Sequence, residues 1–400
     1  MATKDETRTT RLPAGKARTR LPSLTALRII PAVLVFISHG MVHPLFTDND
    51  INESYLFITR NMGVIALSLF FILSGFILTW SSEPSDTARL FWRRRFFRIF
   101  PNHLVVCAII LVMMVLAGRE IMGTEVLVSL PLLQSWLPDP NFLLYSANGP
   151  TWSLSVEMLF YAAFPLLSFL VKKIRVNRLW LWAGVMAVGA LLMPVIARVF
   201  LPDEPMSFFS DGGVSWPQQW FSFYFPPARM FEFGAGMIMA RILQTGRWPA
   251  MRPIVPLLML VVVFLATLPF DMIAGFQAVA LIPVSLLITS MAANDLAGKE
   301  NFFNRKTMVW LGDLSYPFFL VHVTVFFSLH AAFSGQWGVG GMYEAKQFST
   351  LGGIAVLVGG FLLCLFVSWL LFVLVERPIM RRWSRPRRKA VEPPLSSVRS

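Results

Sequence analysis

Apolar residues fall in long runs at close intervals along this chain, separated by short polar stretches. A run of about 18 or more apolar residues is long enough to cross a bilayer as a helix. The pattern predicts ten spans, at 24–46, 63–80, 104–118, 151–171, 178–201, 224–244, 251–270, 273–293, 307–330 and 351–375. The third run is short for a spanning helix. The stretch 126–137 is shorter still and reads as a re-entrant or interfacial segment on the outer side. The expected fold is an all-α polytopic membrane bundle of about ten transmembrane helices. Residues 1–23 are expected to form a disordered basic tail, 24–375 the membrane domain, and 376–400 a second basic tail.

Charge adds orientation. Of 35 Lys and Arg residues, 29 fall in every second gap, namely 1–27, 81–103, 171–179, 241–252, 294–306 and 376–400. Cytoplasmic loops are enriched in Lys and Arg, so both termini are expected in the cytoplasm of a multi-pass protein of the cell membrane. The chain is 56% hydrophobic and 14% charged, with mean hydropathy +0.62. A net charge of +13 would suit nucleic acid, but its confinement to one side of the spans fits membrane lipid headgroups and phosphorylated cytosolic ligands. Nucleic acid is therefore not an expected partner. Cys107 and Cys364 lie within apolar runs, so buried thiols are expected and no disulfide framework. No secretory signal peptide is visible.

Ionisable residues within spans are costly, and each is either a packing or anchoring group or a functional one. Arg28 and His39 stand eleven residues apart, three helical turns, on one face of the first span and about 16 Å from each other. Glu157, Glu232 and His322 lie at depths similar to that of His39 when counted from the outer ends of their own spans. Two histidines and two carboxylates in one layer suit proton transfer. The four lie on separate spans with no local ligand spacing, so no metal is expected. Arg93, Arg94, Arg95 and Arg98 precede Pro101 at the cytoplasmic face. Four guanidinium groups in six residues suit phosphate as well as membrane anchoring. If the stretch is helical, Arg94 and Arg98 share a face, with Arg95 one step round. Glycine patterns of nucleotide-binding loops are absent. Ser74-Gly75 reads first as a small-residue packing site.

Together these segments resemble the acyltransferase 3 family of integral membrane O-acyltransferases. The matching elements are Leu-Pro-Ser-Leu-Thr-Ala-Leu-Arg28 with His39, Phe-Phe-Ile-Leu-Ser74-Gly75-Phe, and Arg93-Arg94-Arg95-Phe-Phe-Arg98-Ile-Phe-Pro. Further along come Trp152-Ser-Leu-Ser155-Val-Glu157, Leu-Gly-Asp-Leu-Ser315-Tyr316 with His322, and Val-Glu376-Arg377-Pro378. They cover nearly the full chain in the family's order. The resemblance implies acyl transfer from acyl-CoA, acetyl-CoA or another short acyl-CoA, to a hydroxyl-bearing acceptor, with no permanently bound cofactor. Ten spans are typical of the family. The compact length is similar to that of actinomycete enzymes that acylate macrolide antibiotics; an envelope polysaccharide is the other acceptor expected. Under this reading Arg28, Arg93, Arg94, Arg95 and Arg98 hold CoA, His39 is the general base, and Glu157 orients it or handles the proton. Glu232, His322, Ser74, Glu376 and Arg377 are further candidates. Ser153 and Ser155 lack a recognisable triad, which favours direct transfer. A transporter or exporter of a polar or lipid-linked substrate is the alternative, weakened by the missing inverted repeat. A membrane scaffold would leave the buried charges without a purpose. Acyl chain length and oligomeric state have no signature in the pattern.

Overall fold

A computed structural model describes residues 20–40, 44–83, 86–206, 213–269, 276–334 and 346–383. The tail expectations for 1–19 and 384–400 lie outside the described residues. Among the described residues there are helices and two isolated backbone bridges, and no strand. The main helices are α1 (Pro22–Leu27), α2 (Ile29–His39), α3 (Asn49–Ser81), α4 (Ala88–Leu116), α5 (Trp152–Lys173) and α6 (Leu179–Phe200). They continue as α7 (Pro226–Gln244), α8 (Ile254–Thr267), α9 (Phe276–Leu296), α10 (Lys306–Ser334), α11 (Thr350–Leu371) and α12 (Arg377–Trp383).

By length and composition, eight of the described helical stretches suffice to cross a membrane. One of them joins α1 to α2, and another runs from α11 through α12. Helices also stand at the sixth and seventh predicted positions, but they fall short for different reasons. α7 carries Arg229, Glu232 and Arg241, and α8 has 14 described residues. The short third run is the visible part of a longer helix. Thr87 caps α4 by accepting from the Leu90 N–H, so the arginine run forms the early turns of a 29-residue helix. The last span likewise continues past residue 375, through a wider π turn at Phe372–Glu376, to Trp383. The stretch 126–137 folds in part as a short helix, Gly123–Ser129, and a tight turn, Gln134–Trp136.

Polarity is distributed opposite to that of a water-soluble protein. Leu181, Val188, Leu192, Val195 and Val199 on α6 face outward, as do Leu104, Val112 and Leu116 on α4. Arg229, Glu232, His322, Asn102 and His103 are buried. Such surfaces suit hydrocarbon outside and a polar interior. Cys107 and Cys364 are free and buried.

α3 is the hub, packing against α2, α5, α7, α8 and α9. Its approach to α7 depends on two glycines. A Cβ on Gly75 would lie 2.0 Å from the Phe233 carbonyl oxygen, and one on Gly236 would lie 2.0 Å from that of Ile72. Small residues let helix backbones approach in membranes where larger ones cannot. Neither obstacle is a side chain that could swing aside. Gly75→Ala and Gly236→Ala should each destabilise the bundle by about 1–3 kcal/mol or more. Thermal unfolding in detergent reads this directly; an unchanged midpoint would show that the two helices separate at little cost.

Candidate active site

One stripe of α3 lines the principal cavity. Leu67, Phe70, Phe71, Ser74, Ile77, Leu78 and Ser81 recur at helical steps over fourteen residues, about 21 Å. The cavity holds ≈ 300 Å³. α4 contributes Arg95 and Arg98; α5 contributes Ser153, Leu154, Glu157 and Tyr161; α10 contributes Ser315, Tyr316 and Phe319. Arg28 enters from the joint between α1 and α2. Pro31 explains that joint, since it has no N–H to give the Leu27 carbonyl.

A second cavity of ≈ 430 Å³ shares Leu78, Ser81 and Arg95 with the first and adds Glu83, Asp86, Arg94 and Lys172. Arg94 Nη2 lies 2.8 Å from Asp86 Oδ2. That guanidinium hydrogen bond holds the Asp86 carboxyl below its ordinary pKa. Arg93 turns elsewhere, to a shallow pocket with Phe97 and Trp383. The helical run thus divides its arginines: Arg95 and Arg98 reach the main cavity, Arg94 the adjoining one, and Arg93 neither.

The single layer expected of His39, Glu157, Glu232 and His322 resolves into separate levels. Glu157 Oε1 accepts from Ser74 Oγ at 3.1 Å and from Tyr161 Oη at 2.5 Å. Glu232 accepts from Ser68 Oγ at 2.6 Å. A Cβ on Gly63 would lie 2.8 Å from Ser38 Oγ, which puts the neighbouring His39 at about the depth of Gly63. Counting along α3, Glu232 is about 7 Å and Glu157 about 16 Å from the His39 level. Glu157 therefore shares the level of Arg28, and it is not the group that orients His39. The misreading came from the uncertain ends of the spans from which depth was counted.

His39 is instead met by His322. Their rings lie 5.1 Å apart between centroids, with His322 Nε2 at 3.4 Å from His39 Nδ1. His39 Nδ1 also lies 2.9 Å from the Val35 carbonyl oxygen, and His322 Nδ1 lies 2.5 Å from that of Phe319. A carbonyl accepts only, so both Nδ1 atoms carry hydrogen. His322 Nε2 is then an acceptor for His39 Nδ1–H. His39 Nε2 keeps a free lone pair, the feature a general base requires. His39 is half-buried and His322 fully buried. Neither lines the main cavity, which ends about one turn short of them: Leu67 lies four residues after Gly63, about 6 Å, along α3.

Of the remaining candidates, Ser74 lines the cavity, while Glu232, Glu376 and Arg377 do not. Glu376 is buried and accepts from Asn102 Nδ2 at 2.9 Å, joining the last span to α4. Arg377 is exposed. Glu232 Oε2 lies 3.0 Å from Arg229 Nε, and the Arg229 guanidinium sits 5.1 Å from the ring centres of both Phe71 and Phe223. Among the described residues, no three His, Cys, Asp or Glu side chains are grouped to hold a metal ion.

Sequence reasoning missed Arg229, Tyr161 and Phe319, and named Tyr316 only within a motif. Arg229 left a legible signal, a base three residues before Glu232 in an apolar run, which is the spacing of a paired charge on one helix face. The aromatic residues had none, because the apolar stretches of this chain are full of them.

The model of the family described as an acyltransferase domain matches residues 21–373. The acyltransferase MdmB of Streptomyces mycarofaciens is 36% identical over 379 residues, covering 94% of this chain and 95% of that protein. The peptidoglycan O-acetyltransferase OatA of Listeria monocytogenes is 24% identical over 77% of this chain, which spans about half of that longer protein (50%). Nodulation protein 10 of Rhizobium leguminosarum bv. viciae is 28% identical over 46% of the chain and 53% of its own length. No solved structure matches. A helical bundle that buries its charged groups, with every quoted motif inside the matched region save the final Glu376-Arg377-Pro378, accords with these likenesses, and the chain belongs to the acyltransferase 3 family of membrane acyltransferases.

Proposed function

We propose that the protein transfers a short acyl group from acyl-CoA to a hydroxyl of a sugar-containing or secondary-metabolite acceptor, with His39 as general base. The observation that carries this reading is the cavity running from Arg95 and Arg98, past Arg28 and Glu157, toward the histidine pair. Phosphates and guanidinium groups form short, charge-assisted hydrogen bonds, so Arg94, Arg95 and Arg98 are assigned to the donor's phosphates. In this reading the arginine end faces the cytoplasm, where acyl-CoA is found, and both termini lie on that side. The pantetheine arm follows the α3 stripe and carries the thioester inward. Arg28 and Glu157, at one level, belong to the wall along which the donor lies.

His39 Nε2 takes the proton of the acceptor hydroxyl as its oxygen attacks the thioester carbonyl. The carbon–sulfur bond breaks, the ester forms, and the departing thiolate collects a proton to leave as CoA thiol. His322, accepting from His39 Nδ1–H, presents the Nε2 lone pair and steadies the imidazolium as it forms. No covalent acyl-enzyme is needed.

Double replacement Arg95→Gln and Arg98→Gln should raise the KM for acyl-CoA roughly tenfold or more, since one lost charge-assisted hydrogen bond is worth about 1.5–3 kcal/mol. Arg93→Gln should leave it unchanged, because Arg93 lines a different pocket. Initial-rate kinetics on membranes containing each variant separate the two. Equal KM values for all variants would return the arginine run to membrane anchoring alone.

A further inference from the structure

The cavity lining does not include the histidine pair, and Phe319 touches both. Phe319 lines the cavity. Its ring centre lies 5.5 Å from that of His322 and 6.1 Å from that of Phe70, another lining residue. Phe70, Phe319, His322 and His39 thus form a chain of ring contacts leading from the cavity wall to the base. Phe319 is 6% exposed, and its backbone carbonyl holds His322 Nδ1. The ring is therefore placed one helical turn from the residue it would shield, on the same helix.

The geometry points to Phe319 as an aromatic partition between the donor's thioester and the catalytic histidines. This rests on the assignment of the cavity to acyl-CoA. An activated thioester beside a general base is open to attack by water as well as by the intended hydroxyl. Excluding water until the acceptor is seated is one way a group-transfer enzyme avoids hydrolysing its donor. With the ring in place, thioester and base stay apart. Moving it aside would open the cavity toward the histidine pair, and an acceptor able to displace it would couple its own binding to reaction.

Removing the ring should uncouple the enzyme. In Phe319→Ala, water reaches the thioester, His39 Nε2 takes its proton, the carbon–sulfur bond breaks, and free acid and CoA thiol are released. The measurement is thiol release from acetyl-CoA by membranes without acceptor, read with a thiol-reactive chromophore, alongside transfer with acceptor. Acceptor-free hydrolysis should rise at least several-fold in Phe319→Ala, and His39→Ala in the same chain should remove the increase. Phe319→Leu, which keeps an apolar side chain of intermediate size, should fall between and serves if the alanine variant does not fold. A folded variant that loses transfer without gaining hydrolysis would overturn the partition and leave Phe319 a packing residue. Wild-type protein that transfers nothing from acetyl-CoA or longer acyl-CoA would instead remove the donor assignment on which the partition rests.

Discussion

His39→Ala should lower acyl transfer by roughly 10²–10⁴-fold, the range for loss of a positioned general base. Acyl-CoA binding should survive, because the cavity that would hold the donor ends about one turn before His39. The structure adds a graded companion. His322→Phe keeps a ring beside His39 but removes the nitrogen that accepts from its Nδ1–H. Val35 still accepts from the same hydrogen, so the tautomer persists and the loss should be smaller than for His39→Ala. Initial rates at saturating acyl-CoA, with donor binding measured separately, check both. Transfer at the wild-type rate by a folded His39→Ala protein would remove the histidine from the chemistry.

The second large effect is on stability. Arg229 and Glu232 are each 1% exposed, and both belong to α7. Their 3.0 Å contact departs from hydrogen-bond geometry, and Arg229 Nη1 and Nη2 have no hydrogen-bond partner among the described residues. The guanidinium is held instead by its partner's charge and by the faces of Phe71 and Phe223. Removing one member of a buried pair strands the other, at a cost of about 3–5 kcal/mol. Arg229→Met should therefore destabilise the protein strongly. Arg229→Met with Glu232→Leu should recover most of the loss, because no charge then remains to be buried. Thermal unfolding of the single and double variants in one detergent decides it. A double variant no more stable than the single would mean that Arg229 acts through shape rather than charge.

Much of this architecture was legible because hydrocarbon imposes one-dimensional rules. Helices stand at all ten predicted positions, although eight described stretches, not ten, are long and apolar enough to cross a membrane; the gap-by-gap alternation of Arg and Lys predicts the orientation. Boundaries were harder. The polar early turns of α4 and the charged middle of α7 interrupt apolar runs without interrupting helices, since backbone hydrogen bonds continue wherever side chains have somewhere to go. Depth suffered most. The first span was expected to reach residue 46, yet α2 ends at His39, seven residues or about 10 Å earlier, which accounts for most of the separation between the His39 and Glu157 levels. The pairing of His39 with His322 joins residues 283 positions apart, and no spacing rule reaches that far. The eleven-residue step from Arg28 to His39 was more informative, because it lies within one span. It foretold two levels three turns apart, and Arg28 lines the cavity that His39 does not.

The most direct test of donor, acceptor class and base together is mass spectrometry on membranes containing the protein, supplied with isotopically labelled acetyl-CoA and a pool of hydroxyl-bearing metabolites or envelope glycans. The account predicts a product heavier by one labelled acyl unit, formed in step with CoA thiol release and lost in His39→Ala. Labelled product formed equally by wild type and His39→Ala would contradict it, as would the absence of any labelled product across short and longer acyl-CoA donors.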